Sequence, residues 1–85
     1  MRINIDKNWS FKDIVLNLWT LRGEYYTILA SFSYFETHEK VEFIKQLRND
    51  IYSLNFDESK KDKIWDFMNG NEYMSTLKRI AKRCK

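Results

Sequence analysis

SFKDIVLNLWTLRGEYYTILASFSYF, residues 10–35, is the stretch that decides how this chain folds. Within it Phe11, Ile14, Leu18, Leu21, Tyr25, Ile28, Phe32 and Phe35 follow one another at alternating spacings of three and four. That is the apolar seam of a helix, unbroken by a polar residue. Ser10 is placed as its N-cap, Asp13 three residues on completes a capping box, and Trp9 and Ile14 are spaced as a hydrophobic staple. The pattern predicts a helix over about 10–36. Gly23 is the flaw, because an interior glycine costs about 1 kcal/mol relative to alanine. It could instead be the C′ residue between two helices, but the seam keeps its phase across it. Tyr26, Ile28, Ala30, Phe32 and Tyr34 also alternate with polar residues in the manner of a strand. The longer heptad favours helix.

Outward from this segment, Arg2-Ile3-Asn4-Ile5-Asp6 alternates and reads as a short N-terminal strand with no evident partner. A second helix is expected over about 38–54, from Val41, Phe43, Ile44, Leu47, Ile51 and Leu54, with Thr37 as N-cap. A third is expected over about 58–69, capped by Asp57 and carrying Ile64, Trp65, Phe67 and Met68. Asn69-Gly70-Asn71 is the clearest turn. Asn71 then opens a fourth helix to about Cys84, with Tyr73, Leu77, Ile80, Ala81 and Cys84 on one face. Such short connections make neighbours antiparallel. The expected fold is all-α, one domain over 1–85: a compact antiparallel helical bundle of four helices, or five if the first breaks at Gly23.

Composition agrees. A chain of 85 residues buries only about 60–65% of its unfolded surface. It needs dense apolar content, and 44% hydrophobic with 16% aromatic supplies it despite 32% charged residues and a mean hydropathy of −0.62. Cys84 is the single cysteine, so a disulfide scaffold or thiolate metal cluster is excluded. Residues 1–6 lack the apolar region of a signal peptide. The longest charge-free apolar run, Tyr25 to Phe35, is far short of the roughly 20 residues of a membrane span. The expected location is therefore cytoplasmic, away from membranes. Abundant Lys, Asn, Ile, Phe and Tyr suit an AT-rich genome, such as that of a low-GC bacterium or phage.

The first helix has more apolar surface than one face can use. At about 100° per residue, Val15 and Leu29 flank the seam, then Trp19 and Tyr26, then Leu16 and Ala30, an arc of roughly 200°. Either the three further short helices cover all of it, or the flank of Leu16, Trp19, Tyr26 and Ala30 stays open and is filled by another chain, and these four are the expected partner-binding residues. Tryptophan and tyrosine are favoured at such contacts.

Charge is split along the chain. Residues 1–59 carry seven Lys/Arg against nine Asp/Glu, and residues 60–85 carry eight against three. Lys78, Arg79, Lys82, Arg83 and Lys85 line the last helix opposite Leu77 and Ile80. That stripe could meet nucleic acid or an acidic protein surface, or merely solvate a helix end and complement its dipole. Asp66 and Thr76 would stand at the packed positions of a helix-turn-helix, and Glu72 would face phosphate, so that motif fits poorly.

Chemistry finds little support. His38 is the lone histidine and Glu42 stands where a zincin needs a second one. Glu36, Glu39 and Glu42 lack the histidines of a di-iron bundle, and Gly23 and Gly70 are isolated, so no phosphate loop exists. No cofactor is expected. The reading is a small non-enzymatic effector, such as an inhibitor, immunity factor or regulatory factor, that occludes a surface of a larger protein. The alternative is a nucleic-acid-binding module using the basic last helix, and the open flank could also pair with itself in a homodimer.

Overall fold

Ser10 starts the first helix as its spacing foretold. Its hydroxyl accepts the backbone N–H of Asp13 at 3.1 Å, and the Asp13 carboxylate accepts the N–H of Ser10 at 3.3 Å. The computed structural model describes residues 3–71 and 74–83, and all its regular structure is helical. Helix α1 spans Phe11–Ser31, α2 Thr37–Tyr52, α3 Glu58–Met68 and α4 Met74–Arg83. Four helices form, not five, because α1 passes through Gly23 without interruption. Ile3–Asp6 has no regular secondary structure, so the expected strand is not formed among the described residues. Ile3 is nonetheless buried, packing as a plug of core rather than as part of a sheet.

α1 packs against α3 and α4, and α2 against α3. Phe11, Ile14, Leu18, Leu21 and Tyr25 of the seam are buried, joined by Phe43, Leu47 and Ile51 from α2, Ile64, Phe67 and Met68 from α3, and Leu77 and Ala81 from α4. The seam then runs out of partners. Ile28 and Phe32 are only partly buried, and Phe35 is 91% exposed. α1 stops at Ser31, five residues before the sequence pattern suggested. Side-chain bonds build the turn that follows: Ser33 Oγ donates to Glu36 Oε1 at 2.9 Å and Thr37 Oγ1 to the Tyr34 carbonyl at 3.1 Å. Thr37 is thus the first residue of α2, while Glu36 holds the cap position without a side-chain cap bond. Val41, expected inside, is 40% exposed.

α3 begins where Asp57 accepts the N–H of Lys60 at 2.9 Å. It ends in a Schellman turn: Asn71 N–H bonds the Asp66 carbonyl at 3.1 Å and Gly70 N–H the Phe67 carbonyl at 3.2 Å. Gly70 has φ +113°, a conformation that suits glycine alone. Tyr25 Oη donates to Asn69 Oδ1 at 3.2 Å, tying this turn to α1. The expected positions of Tyr73, Cys84 and Lys85 lie outside the described residues. The molecule measures 45 × 22 × 18 Å. Its long axis exceeds the roughly 31 Å of α1.

Candidate functional site

Leu16 and Trp19 stand on the side of α1 that faces α4 without being covered by it. Leu16 is 72% exposed and Trp19 54%. Val15, one residue before Leu16, is buried, so the boundary of the core falls between adjacent side chains about 100° apart. Between α1 and α4 a groove of about 450 Å³ opens. It is lined by the apolar Val15, Leu16, Trp19, Met74 and Ala81 together with Lys12, Lys78 and Lys82. None of the three lysines has a carboxylate partner among the described residues.

Two sets of residues that the sequence kept apart therefore meet. Leu16 and Trp19 come from the apolar flank, and Lys78 and Lys82 from the basic stripe. The other members of each set lie elsewhere. Tyr26 is half-exposed beside the Asn69–Gly70 turn, where a Cβ on Gly70 would sit 3.6 Å from its hydroxyl. Ala30 is exposed about 21 Å along α1 from Leu16, at 1.5 Å per residue. Arg79 and Arg83 are exposed on α4 but do not line the groove, and Lys85 lies outside the described residues.

Arg22 was not singled out by its sequence position, yet it fixes the aromatic part of the site. Its guanidinium lies 5.3 Å from the Trp19 ring centroid, 5.3 Å from Tyr26 and 4.9 Å from Phe67. Trp19 also meets Phe67 edge-on at 5.0 Å. These cation–π and edge contacts hold the indole at a set angle on the surface. Nη1 of Arg22 is shut off from solvent and has no hydrogen-bond acceptor. Only the delocalised charge of arginine tolerates this, because the ring faces replace part of its hydration.

A second exposed apolar feature was likewise not foreseen. Tyr34 and Phe35, in T-shaped contact at 5.5 Å, are 89% and 91% exposed at the α1–α2 turn. The hydroxyl-rich run Ser31, Ser33 and Thr37 was the available signal, since such side chains compete for backbone groups and end helices. His38 is exposed in the first turn of α2, away from the groove. Among the described residues no three His, Cys, Asp or Glu side chains gather in a way that could hold a metal ion, and no helix is long and apolar enough to cross a membrane.

Comparison with family models, with curated proteins and with solved structures finds no match for this chain. The site's chemistry is that of an apolar groove with an indole held by Arg22 and three lysines that have no carboxylate partner among the described residues.

Proposed function

We propose that this protein is a small non-enzymatic effector, of the inhibitor or regulatory kind, that docks the α1–α4 face onto a larger protein and occludes the surface it covers. The observation that carries this is the open apolar pair Leu16 and Trp19, held at a helix surface next to a groove that the described residues leave unfilled. A side chain such as Leu16 releases little water while it points outward, and covering it yields roughly 25 cal/mol for each Å² of apolar area. A standard interface takes about 800 Å² from each partner, roughly a seventh of the 5855 Å² surface here. The four-helix frame, whose short connections favour antiparallel neighbours, would change little on docking. Occlusion then follows from shape: the face is pre-formed, so binding spends little on ordering it.

The trial is site-specific photo-crosslinking in cells of the native host. A photoreactive residue at position 16 should yield a discrete adduct that the same residue at position 45, on the exposed side of α2, does not. Trp19→Asp should abolish the adduct while leaving the helical content unchanged. Equal adducts from both positions, or none from position 16, would remove this face as the interface.

A further inference from the structure

Resting on the reading that the α1–α4 face is an interface, we propose that its occupant is an acidic amphipathic helix of the partner protein, whose apolar anchors fill the groove while its carboxylates pair with Lys12, Lys78 and Lys82. The shape argument comes first. Lys12, Leu16 and Trp19 are spaced i, i+4, i+7 on α1, and Lys78 and Lys82 stand one turn apart on α4. The two walls thus run about 10–12 Å, roughly two helical turns. That length accepts a partner helix reading as i, i+3 or i+4, and i+7 anchors.

Charge decides what flanks those anchors. Three lysines that have no carboxylate partner among the described residues line one apolar groove. Among the described residues the nearby acids do not pair with them: Asp13 is engaged with Ser10 in the capping box, and Glu24 lines an adjoining shallow face that shares Trp19 with the groove. A second copy of this chain presenting the same groove would oppose lysine to lysine, which an isologous pairing cannot escape. Nucleic acid would satisfy the lysines but not the apolar lining. Stacking needs aromatics interleaved with the cations, and the groove has one aromatic, Trp19, one side of which Arg22 already occupies. A single fatty acid offers one carboxylate to cations standing on both walls.

The experiment is selection from a phage-displayed library of random peptides of about 16 residues, roughly four helical turns, on the immobilised full chain. Enriched peptides should combine Asp or Glu with apolar residues at helical spacing. A synthetic consensus peptide should lose about tenfold or more in affinity against Lys78→Glu and Lys82→Glu, and regain it when its own acids are changed to lysine. Leu16→Asp, at an exposed position, should also weaken it without changing the far-UV spectrum. The proposal is overturned by peptides without an acidic excess, by indifference to the lysine reversals, by no enrichment, or by a duplex oligonucleotide that displaces the peptide at equal charge. If position 16 still crosslinks a cellular protein while the peptides are not acidic, this inference falls and the docking face stands. Absence of crosslinks at position 16 removes the face itself.

Discussion

Replacing Gly23 with alanine should make this protein more stable, and the size of the gain can be worked from the structure. Gly23 lies in the middle of α1 with ordinary helical backbone, since Gly70 is the glycine with positive φ among the described residues. A Cβ built on it meets nothing within 4 Å, so alanine brings no clash. What remains is helix propensity, where glycine is about 0.8–1.0 kcal/mol worse than alanine in a helix interior. Unfolding entropy of about 2.1 cal/mol/K per residue gives roughly 0.18 kcal/mol/K for 85 residues, so Tm should rise by about 4–6 °C. The hydrogen bond from Thr27 Oγ1 to the Gly23 carbonyl, 2.8 Å long, is untouched by the change. Gly70→Ala is the matched opposite. Its Cβ would also find room, 3.6 Å from Tyr26 Oη, but φ +113° strains any other residue, so Tm should fall. Thermal melts followed by far-UV circular dichroism measure both. An unchanged or lowered Tm for Gly23→Ala would refute the continuous helix and restore a break at Gly23.

Three further outcomes follow from other parts of the molecule. Ser10→Ala should cost about 1 kcal/mol in a urea unfolding series, because the hydroxyl that accepts the Asp13 N–H is lost while the backbone N–H of residue 10 can still donate to the Asp13 carboxylate. Arg22→Lys should lower stability by about 1 kcal/mol and shift Trp19 emission to longer wavelength, since an ammonium does not stack on three rings as a guanidinium does. Alkaline pH should destabilise the fold through two tyrosines. The Asp62 carboxylate, which accepts the Tyr52 hydroxyl, and then burial, push the Tyr52 phenol above its ordinary value of 10.0; burial and then the neighbouring Tyr26 do the same to Tyr25. Both phenols keep their protons longer folded than unfolded. Their stabilising contribution is thus complete below the ordinary value and drains as pH rises through the higher folded values. Urea midpoints measured from about pH 9 upward should fall, and Tyr52→Phe should flatten that fall.

What the sequence made legible was what local chemistry decides. Ser10 with Asp13, and Asp57, cap helices through residues three positions away, so spacing alone reveals them. Gly70 ends α3 through bonds within one turn, and only glycine suits its backbone. The exposure of Leu16 and Trp19 was legible as one of two outcomes, because an arc of roughly 200° is about twice the stripe an ordinary surface helix buries. Three features were not. The end of α1 was hidden because Phe32 and Phe35 continue the seam in phase, while the hydroxyls of Ser33 and Thr37 that build the turn resemble ordinary surface residues. Arg22 lies among aromatic rings that include Phe67, 45 positions away in sequence, and no periodicity encodes that meeting. The groove needs α4 laid against α1, so Lys78 and Lys82 read as a plain solvated stripe until the helices are packed.

The account rests most heavily on Trp19 facing solvent in the free chain and being covered in a complex. Acrylamide quenching of a protein with Trp9→Phe and Trp65→Phe, leaving Trp19 as the one indole, measures this directly. Quenching near that of a half-exposed indole is expected, unchanged on dilution, and strongly reduced once the groove-binding peptide is added. Emission at core-like wavelengths with slow quenching at every concentration of the free chain would contradict it.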